Sequence, residues 1–406
     1  MFKTQGWCPT AWQPMRSQDG WIMRVRPHCA SVSVAQWRVL AALALSSAEP
    51  QIELTRLGNL QLRGVKDTDL ARVRRDLIDA QLVPADADAD LAPPVHCTPF
   101  YRHGDAVHSL ASAVARAVVD HLGPRALNRE GIDALASKFG IVVDDDRRLL
   151  AGMQADIDLW VNMQGQYGLL AADFVEPVFF DDEERVVAAA IDKARWFARR
   201  RMRISHSPTR LRGVVQSGRT PLVSNGVPML PGPLTANARI VGLPLGRIDA
   251  QAMLAAAHSL PDSAELRVTP WRSLLMTGES LQVEAHPFHD ETRWIVRADD
   301  ARLRVSTCAG APRCEQGVFA AQQLSSSIAS HLPAGAHVHV SGCAKLCALS
   351  ADATVLVVAD AVNDDGRVVL SIDKPERRRP APLQIPLNTL QESPQIIRDL
   401  IHDLHL

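Results

Sequence analysis

Four cysteines carry the clearest chemistry in the chain. Cys308 and Cys314 flank Ala-Gly-Ala-Pro-Arg, and Cys343 and Cys347 flank Ala-Lys-Leu. Four thiolates are what a 4Fe–4S cubane requires, one for each iron. Small residues and proline around each pair let the backbone wrap closely round an inorganic core. Neither spacing is the C-x-x-C of a structural zinc or thioredoxin-like site. Cys8, Cys29 and Cys97 are scattered in sequence and read as structural or incidental.

Thr307 precedes the first pair and Gly342 the second, and the run His339-Val-Ser-Gly-Cys-Ala-Lys345 spans the third cysteine. In these features the chain resembles the sulfite and nitrite reductase superfamily, and within it the precorrin-3B synthase branch. The reductases carry Pro-Asn after the third cysteine, where this chain has Ala344-Lys345. The resemblance implies an oxidoreductase of cobalamin synthesis, an O2-dependent monooxygenase. Its substrate is precorrin-3A, which it hydroxylates at C20 with γ-lactone formation. Electrons come from an external donor, NAD(P)H through a reductase or a ferredoxin. The implied cofactors are a 4Fe–4S cluster on Cys308, Cys314, Cys343 and Cys347, and a second iron centre, either non-haem iron or sirohaem. Non-haem Fe(II) is expected on two His and one carboxylate. His286-Pro-Phe-His289-Asp290 is the tightest such group, and His96, His103 and His108 a looser one.

The resemblance also implies a basic cavity for a polyanionic tetrapyrrole, to which Arg is suited because its planar fork binds carboxylates bidentately. The matching positions are Arg24, Arg26, Arg56, Asn59, Gln61 and Arg63 in the first half, and Arg267, Thr269 and Arg272 in the second. Asn59, Gln61 and Arg63 alternate along a strand and so share a face. In the reductases a Lys-Phe-Lys phrase gives two lysines to the small oxyanion. Here it reads Lys138-Phe139-Gly140, so Lys138 is the one catalytic lysine retained. The segment Pro93-Pro-Val-His-Cys-Thr-Pro99 also lacks the arginine of the reductases. Fewer cations disfavour sulfite or nitrite and suit an organic tetrapyrrole as substrate.

These residues need elements to hold them, and the chain repeats itself to provide them. Gly20–Pro27 reads as a strand, Val34–Leu45 as a helix, Gln51–Arg56 and Asn59–Arg63 as strands, and Asp67–Leu82 as a helix opened by an Asp or Thr cap. The second half repeats the order with Ala238–Pro244, Ala250–Ser259, Glu265–Pro270 and Ser273–Met276. Thr55 matches Thr269, an offset of 269 − 55 = 214 residues. Pro84–Pro94 and Val214–Pro233 read as linkers, and Pro394–Leu406 as a final helix.

The expected fold is α+β: two ferredoxin-like half-domains alternate with two α+β domains in a pseudo-twofold repeat. The expected bounds are 1–83 and 234–290 for the half-domains, 95–205 for the domain without a cluster, 291–376 for the domain with one, and 377–406 for a tail.

With 406 residues, 47% of them hydrophobic, the chain can build several cores. A formal net charge of −1 argues against nucleic-acid or membrane-surface partners, and Arg377–Arg379 read as part of a solvated linker. The start lacks an apolar signal segment and no stretch is long enough to span a membrane, so a cytoplasmic location is expected. A sirohaem reductase, a plain ferredoxin-like carrier and a non-enzymatic tetrapyrrole binder are the alternatives, in that order.

Overall fold

The structure, a computed structural model, describes residues 8–153, 155–204, 208–214, 222–224, 226, 229–278, 286–362, 368–375 and 383–404. Arg377–Arg379 lie outside them.

The first half-domain comprises β1 (Met15–Ser17), β2 (Gly20–Val25), α1 (Val34–Leu45), β3 (Gln51–Leu54), β4 (Leu60–Val65) and α2 (Leu70–Asp79). α1 begins where Ser33 and Gln36 close a reciprocal capping box, and Trp37, Leu40, Ala41 and Ala44 turn its apolar stripe inward. α2 departs from expectation at its start. No side chain caps it, and a 3-10 turn over Asp67–Asp69 leads in instead. The expected linker Pro84–Pro94 holds a short helix, α3 (Ala87–Leu91), whose Asp86 cap accepts from Asp88 N.

Next come β5 (Val95–Cys97), α4 (Ala106–Leu122), α5 (Pro124–Arg129), β6 (Ile141–Asp145), β7 (Ile157–Val161), β8 (Tyr167–Ala171), β9 (Val178–Phe180) and α6 (Glu183–Arg201). The strands lie in the order β5-β6-β7-β8-β9, the first three parallel and the last two antiparallel. β7 is buried along its whole length, as expected of a strand covered on both faces. α6 carries Glu183 and Glu184 at its start and Arg199–Arg201 at its end, which complements its dipole.

The second half follows with β10 (Gly232–Thr235), β11 (Ala238–Gly242), β12 (Arg247–Asp249), α7 (Ala250–Ser259), β13 (Glu265–Val268) and β14 (Ser273–Thr277). β3 and β13 keep the repeat offset at both ends, since 265 − 51 and 268 − 54 are both 214. The turns match too: Thr55 N donates to Asn59 O at 2.8 Å, and Thr269 N to Ser273 O at 3.1 Å.

The halves also exchange backbone. β12 pairs antiparallel with β3 of the first half, Ile248 opposite Ile52. In return Leu266 N of β13 donates to Val32 O at 3.1 Å. One apolar core runs through both halves, α1 packs on α7, and Trp37 Nε1 donates to Leu266 O at 3.1 Å.

The last unit comprises β15 (Val305–Thr307), α8 (Ala321–Ile328), β16 (Val338–Ser341), β17 (Val355–Val362), β18 (Val368–Asp373), β19 (Leu383–Pro386), α9 (Leu387–Glu392) and α10 (Ile397–His402). Its sheet repeats the earlier one in order and sense: β15, β16 and β17 parallel, β18 and β19 antiparallel. Within the expected helix Pro394–Leu406 the helical part is α10, and α9 precedes that span. Pro394 starts a 3-10 turn between them, and Leu390, Ile397 and Ile401 join the core of this unit. The fold is thus α+β, with two ferredoxin-like half-domains alternating with two α+β units in a pseudo-twofold repeat.

Candidate functional site: a thiol cradle and a cationic cavity

The parallel neighbours β15 and β16 end side by side, and each runs directly into one cysteine pair. Cys308 N donates to Val340 O at 3.2 Å, and Gly342 N donates to Cys308 Sγ at 3.1 Å. Val318 N donates to Gly342 O at 3.0 Å, which ties the first loop to the second. Glycine is required where the first loop folds on itself and against α8. A Cβ on Gly310 would lie 2.7 Å from Ala321 N, and one on Gly317 would lie 2.5 Å from Ala311 N.

Burial, and then the charges of Cys308, Cys343 and Cys314, push the Cys347 thiol up. The loop bonds above hold the two cysteine pairs beside each other, and bare thiolates there would repel one another. Among the described residues no three His, Cys, Asp or Glu are grouped as for a single metal ion. This donor set instead fits a four-iron cluster, which takes one thiolate per iron and is wrapped by small residues.

A chain of side chains runs from the cradle into the first half-domain. Arg313, beside Cys314, is 4% exposed. It donates to Glu53 Oε1 at 2.9 Å and Glu49 Oε2 at 2.7 Å. Gln61 Nε2 donates to Glu53 Oε2 at 3.2 Å, and Arg24 Nη2 donates to Gln61 Oε1 at 2.6 Å. Arg63 is held in the same network. Its Nε donates to Asp19 Oδ2 at 2.8 Å, and its Nη2 reaches the Arg313 carbonyl at 3.3 Å.

Arg24 opens onto a cavity of about 70 Å3 that Arg26, Asn59, His96, Lys138 and Arg210 also line, with Cys8 and Gly140 at its wall. Burial lowers the pKa of both Arg24 and Arg26. Arg26 Nη1 donates to Ala92 O at 2.9 Å, and its Nη2 lies 3.7 Å from Asp90 Oδ1. Arg210 Nη1 donates to Asp156 Oδ2 at 2.8 Å. Arg24 is met by the neutral Gln61 amide and by Cys8, and the residues lining the cavity include no carboxylate, so the cavity holds more positive than negative charge. Burial, and then the charges of Arg26, Arg210 and Arg24, push the His96 imidazole down to about 4, although a bond from the Leu57 backbone opposes this. A Cβ on Gly140 would stand 3.8 Å from His96, so a lysine there would extend beside the imidazole and take up the space.

The structure thus brings Arg24, Arg26, Asn59 and Lys138 together and sends the other expected residues elsewhere. Gln61 and Arg63 face Glu53 and Asp19, as above. Arg56 Nη1 donates to Leu349 O at 2.7 Å, over the loop after Cys347. Arg267 is spent on Glu265 and on the carbonyls of Pro99 at 2.9 Å and Tyr101 at 2.7 Å. Thr269 is fully buried against Ser273 Oγ at 2.7 Å. Arg272 donates to Val305 O and Leu303 O. Cys8 and Arg210 are pocket residues that the sequence does not announce, and His96 enters the sequence reading only as a candidate metal ligand. They sit in the N-terminal run, a short strand and an irregular segment, where no periodicity aims a side chain.

Neither histidine group forms a two-His, one-carboxylate set. His286 and His289 stack with ring centroids 4.7 Å apart, and Asp290 bonds Thr292 and Arg293. His103 and His108 meet edge to face at 5.1 Å, His103 bonds Glu265, and His96 lies apart in the cavity.

Comparison with known proteins agrees with this picture. The family model of the nitrite/sulfite reductase ferredoxin-like half domain matches residues 13–80. A precorrin-3B synthase from Sinorhizobium sp. is 26% identical over 385 residues, covering 85% of this chain and 78% of its own. The structure of the Mycobacterium tuberculosis NirA protein superposes with a TM-score of 0.61 at 14% identity, over 93% of this chain and 80% of its own, and speaks for the fold alone. The precorrin-3B synthase relative supports an enzyme, an oxidoreductase. The chain carries a nitrite/sulfite reductase ferredoxin-like half-domain and, over most of its length, is similar to precorrin-3B synthase.

Proposed function

We propose that the protein is a precorrin-3B synthase, an O2-dependent monooxygenase that hydroxylates precorrin-3A at C20 and closes a γ-lactone. The observation that carries this reading is the cationic cavity, in which Arg24, Arg26, Lys138 and Arg210 surround His96 while Gly140 leaves the wall open. Buried cations without enough carboxylates favour an anionic guest. At about 70 Å3 the cavity takes carboxylate arms and not a macrocycle, so the ring would lie across its mouth.

Cys308, Cys314, Cys343 and Cys347 would hold the 4Fe–4S cluster, which supplies electrons one at a time when bound. The protein's own contribution is positional. Arg24 and Arg26 orient the substrate by its carboxylates, and the Gln61–Glu53–Arg313 relay keeps Arg24 in register with the cluster loop. Lys138 adds a further cation to the lining. The overall balance is one O2, two electrons and two protons per substrate, giving one oxygen atom in the product and one water. The electrons come from an external donor, NAD(P)H through a reductase or a ferredoxin. The described residues contain no helix long and apolar enough to cross a membrane. The proposed location is the cytoplasm.

The test is anaerobic purification with iron and sulfide counting, a visible spectrum, and turnover of precorrin-3A under oxygen-18 gas. One labelled oxygen in the product supports the assignment. Extractable sirohaem with steady reduction of sulfite or nitrite would replace it with a reductase.

A further inference from the structure

We propose that Cys29 and Cys97 are a peroxide-responsive thiol pair that closes reversibly to a disulfide. They are 97 − 29 = 68 residues apart, and the fold brings them to one place. The turn His28–Ala30 packs against β5, which carries Cys97. In that turn Cys29 has φ 46° and Ala30 φ 59°. Such left-handed backbone at non-glycine residues costs energy and persists where the surroundings hold it.

Three groups converge on the Cys29 sulfur. His28 Nε2 is 3.4 Å from Sγ and Ser112 Oγ is 3.7 Å from it. Ser112 Oγ also lies 3.3 Å from His28 Nε2. The third is Cys97, within hydrogen-bond reach of the same sulfur, while its own thiol also donates to Thr98 O at 3.2 Å. The Cys97 contact, with those of His28 and Ser112, outweighs burial and holds the Cys29 thiol down at about 4. Cys97 is pushed well up by the same contact and by its own burial. The bond to Cys29 in turn raises the His28 imidazole, against the nearby charge of Arg116. The Cys29 sulfur thus has an imidazole and a hydroxyl beside it, and the Cys97 thiol lines the same cavity. That is the arrangement of an attacking and a resolving cysteine.

Both thiols line a cavity of about 510 Å3 whose walls include Pro94, Ala111 and Val118, and His28 is exposed. A small oxidant can thus reach sulfurs that a large reagent reaches poorly. Neither cysteine has a part in the reaction proposed above, and the thiol pair stands whether or not that reaction does.

The chemistry balances with hydrogen peroxide as the oxidant. The Cys29 thiolate attacks one peroxide oxygen, the O–O bond breaks, and hydroxide leaves to become water with a proton from the imidazolium. Cys97 sulfur then attacks the sulfenic sulfur. The S–S bond forms, the S–O bond breaks, and the departing hydroxide takes the Cys97 proton to give a second water. Two thiols have lost two electrons and two protons, and an external dithiol restores them.

The test treats the reduced full-length protein with equimolar hydrogen peroxide, alkylates the remaining thiols and maps peptides without reduction. A Cys29–Cys97 linked peptide that disappears with dithiothreitol is the expected result. In Cys97→Ser, dimedone should label Cys29 as a sulfenic acid, and His28→Asn should slow Cys29 oxidation about tenfold. Cys29 still fully alkylatable after the peroxide is consumed would overturn the proposal, as would Cys29 joined to Cys8 or to a cradle cysteine. The wild-type peptide map is decisive even where a variant fails to fold.

Discussion

Arg24 and Arg63 lie on paired strands, yet one faces an amide and the other carboxylates, and this decides what each loses on truncation. Arg63→Ala would remove both guanidinium bonds to the carboxylate of Asp19, while Glu53 keeps Arg313. A loss of about 3–5 kcal/mol in unfolding free energy is expected from denaturant titration. Arg24→Ala strands the neutral Gln61 instead. Its expected effect is about 1.5–3 kcal/mol on precorrin-3A binding, read by spectral titration, with little change in stability. Equal binding by Arg24→Ala and wild type would remove Arg24 from the site. His96 adds a pH dependence. Its folded pKa of about 4 lies below the ordinary 6.5, so its stabilising contribution is present above pH 6.5 and is lost as pH falls from there to 4. A bound carboxylate would reverse the depression and draw a proton onto the imidazole. Precorrin-3A binding should therefore tighten between about pH 7 and pH 5, and His96→Asn should flatten that profile. The cradle cysteines are legible in the sequence because spacing alone sets them apart. Arg24, Arg26 and Asn59 are reached through the family resemblance, whereas alternation, which groups Asn59 with Gln61 and Arg63, does not separate them. Arg210 and the place of His96 in the cavity are reached by neither, because tertiary packing sets them.

Among the elements, the two loops after β15 and β16 are the most constrained. Gly310 has φ 63°, and a side chain there would collide with the backbone at Ala321. Gly310→Ala should reduce iron and acid-labile sulfide per chain while the far-ultraviolet circular dichroism stays near wild type. Full metal content in that variant would mean the loop is looser than its contacts indicate. Helices with a strong apolar stripe, such as α1 and α7, are legible to within a residue or two. α3 is hidden in a Pro-bounded, Ala- and Asp-rich stretch, and its only announcement is the Asp86 cap. The start of α2 differs from expectation because Asp67 and Asp69 lie in a 3-10 turn and do not cap the helix.

At the scale of the whole molecule, the internal repeat is visible as a constant offset, and it holds in the strand ends and in the Thr55 and Thr269 turns. The exchange between halves is not visible in the sequence. β12 is three residues long with no signature of its own, and its partner lies nearly two hundred residues earlier. Pairings of that range come from packing and not from local preference.

That crossed pairing makes the two halves mutual completions. Severed between residues 214 and 229, each fragment would present a bare strand margin and half of a shared interior. Fragments 1–214 and 229–406 made separately should collect as insoluble material. Made together in one cell, they should reassemble into a particle that elutes with the intact chain on gel filtration. Soluble, folded material from either fragment alone would show that the crossed strands are ornamental. Reassembly would show that continuity of the polypeptide matters less here than the mutual embrace of its two copies.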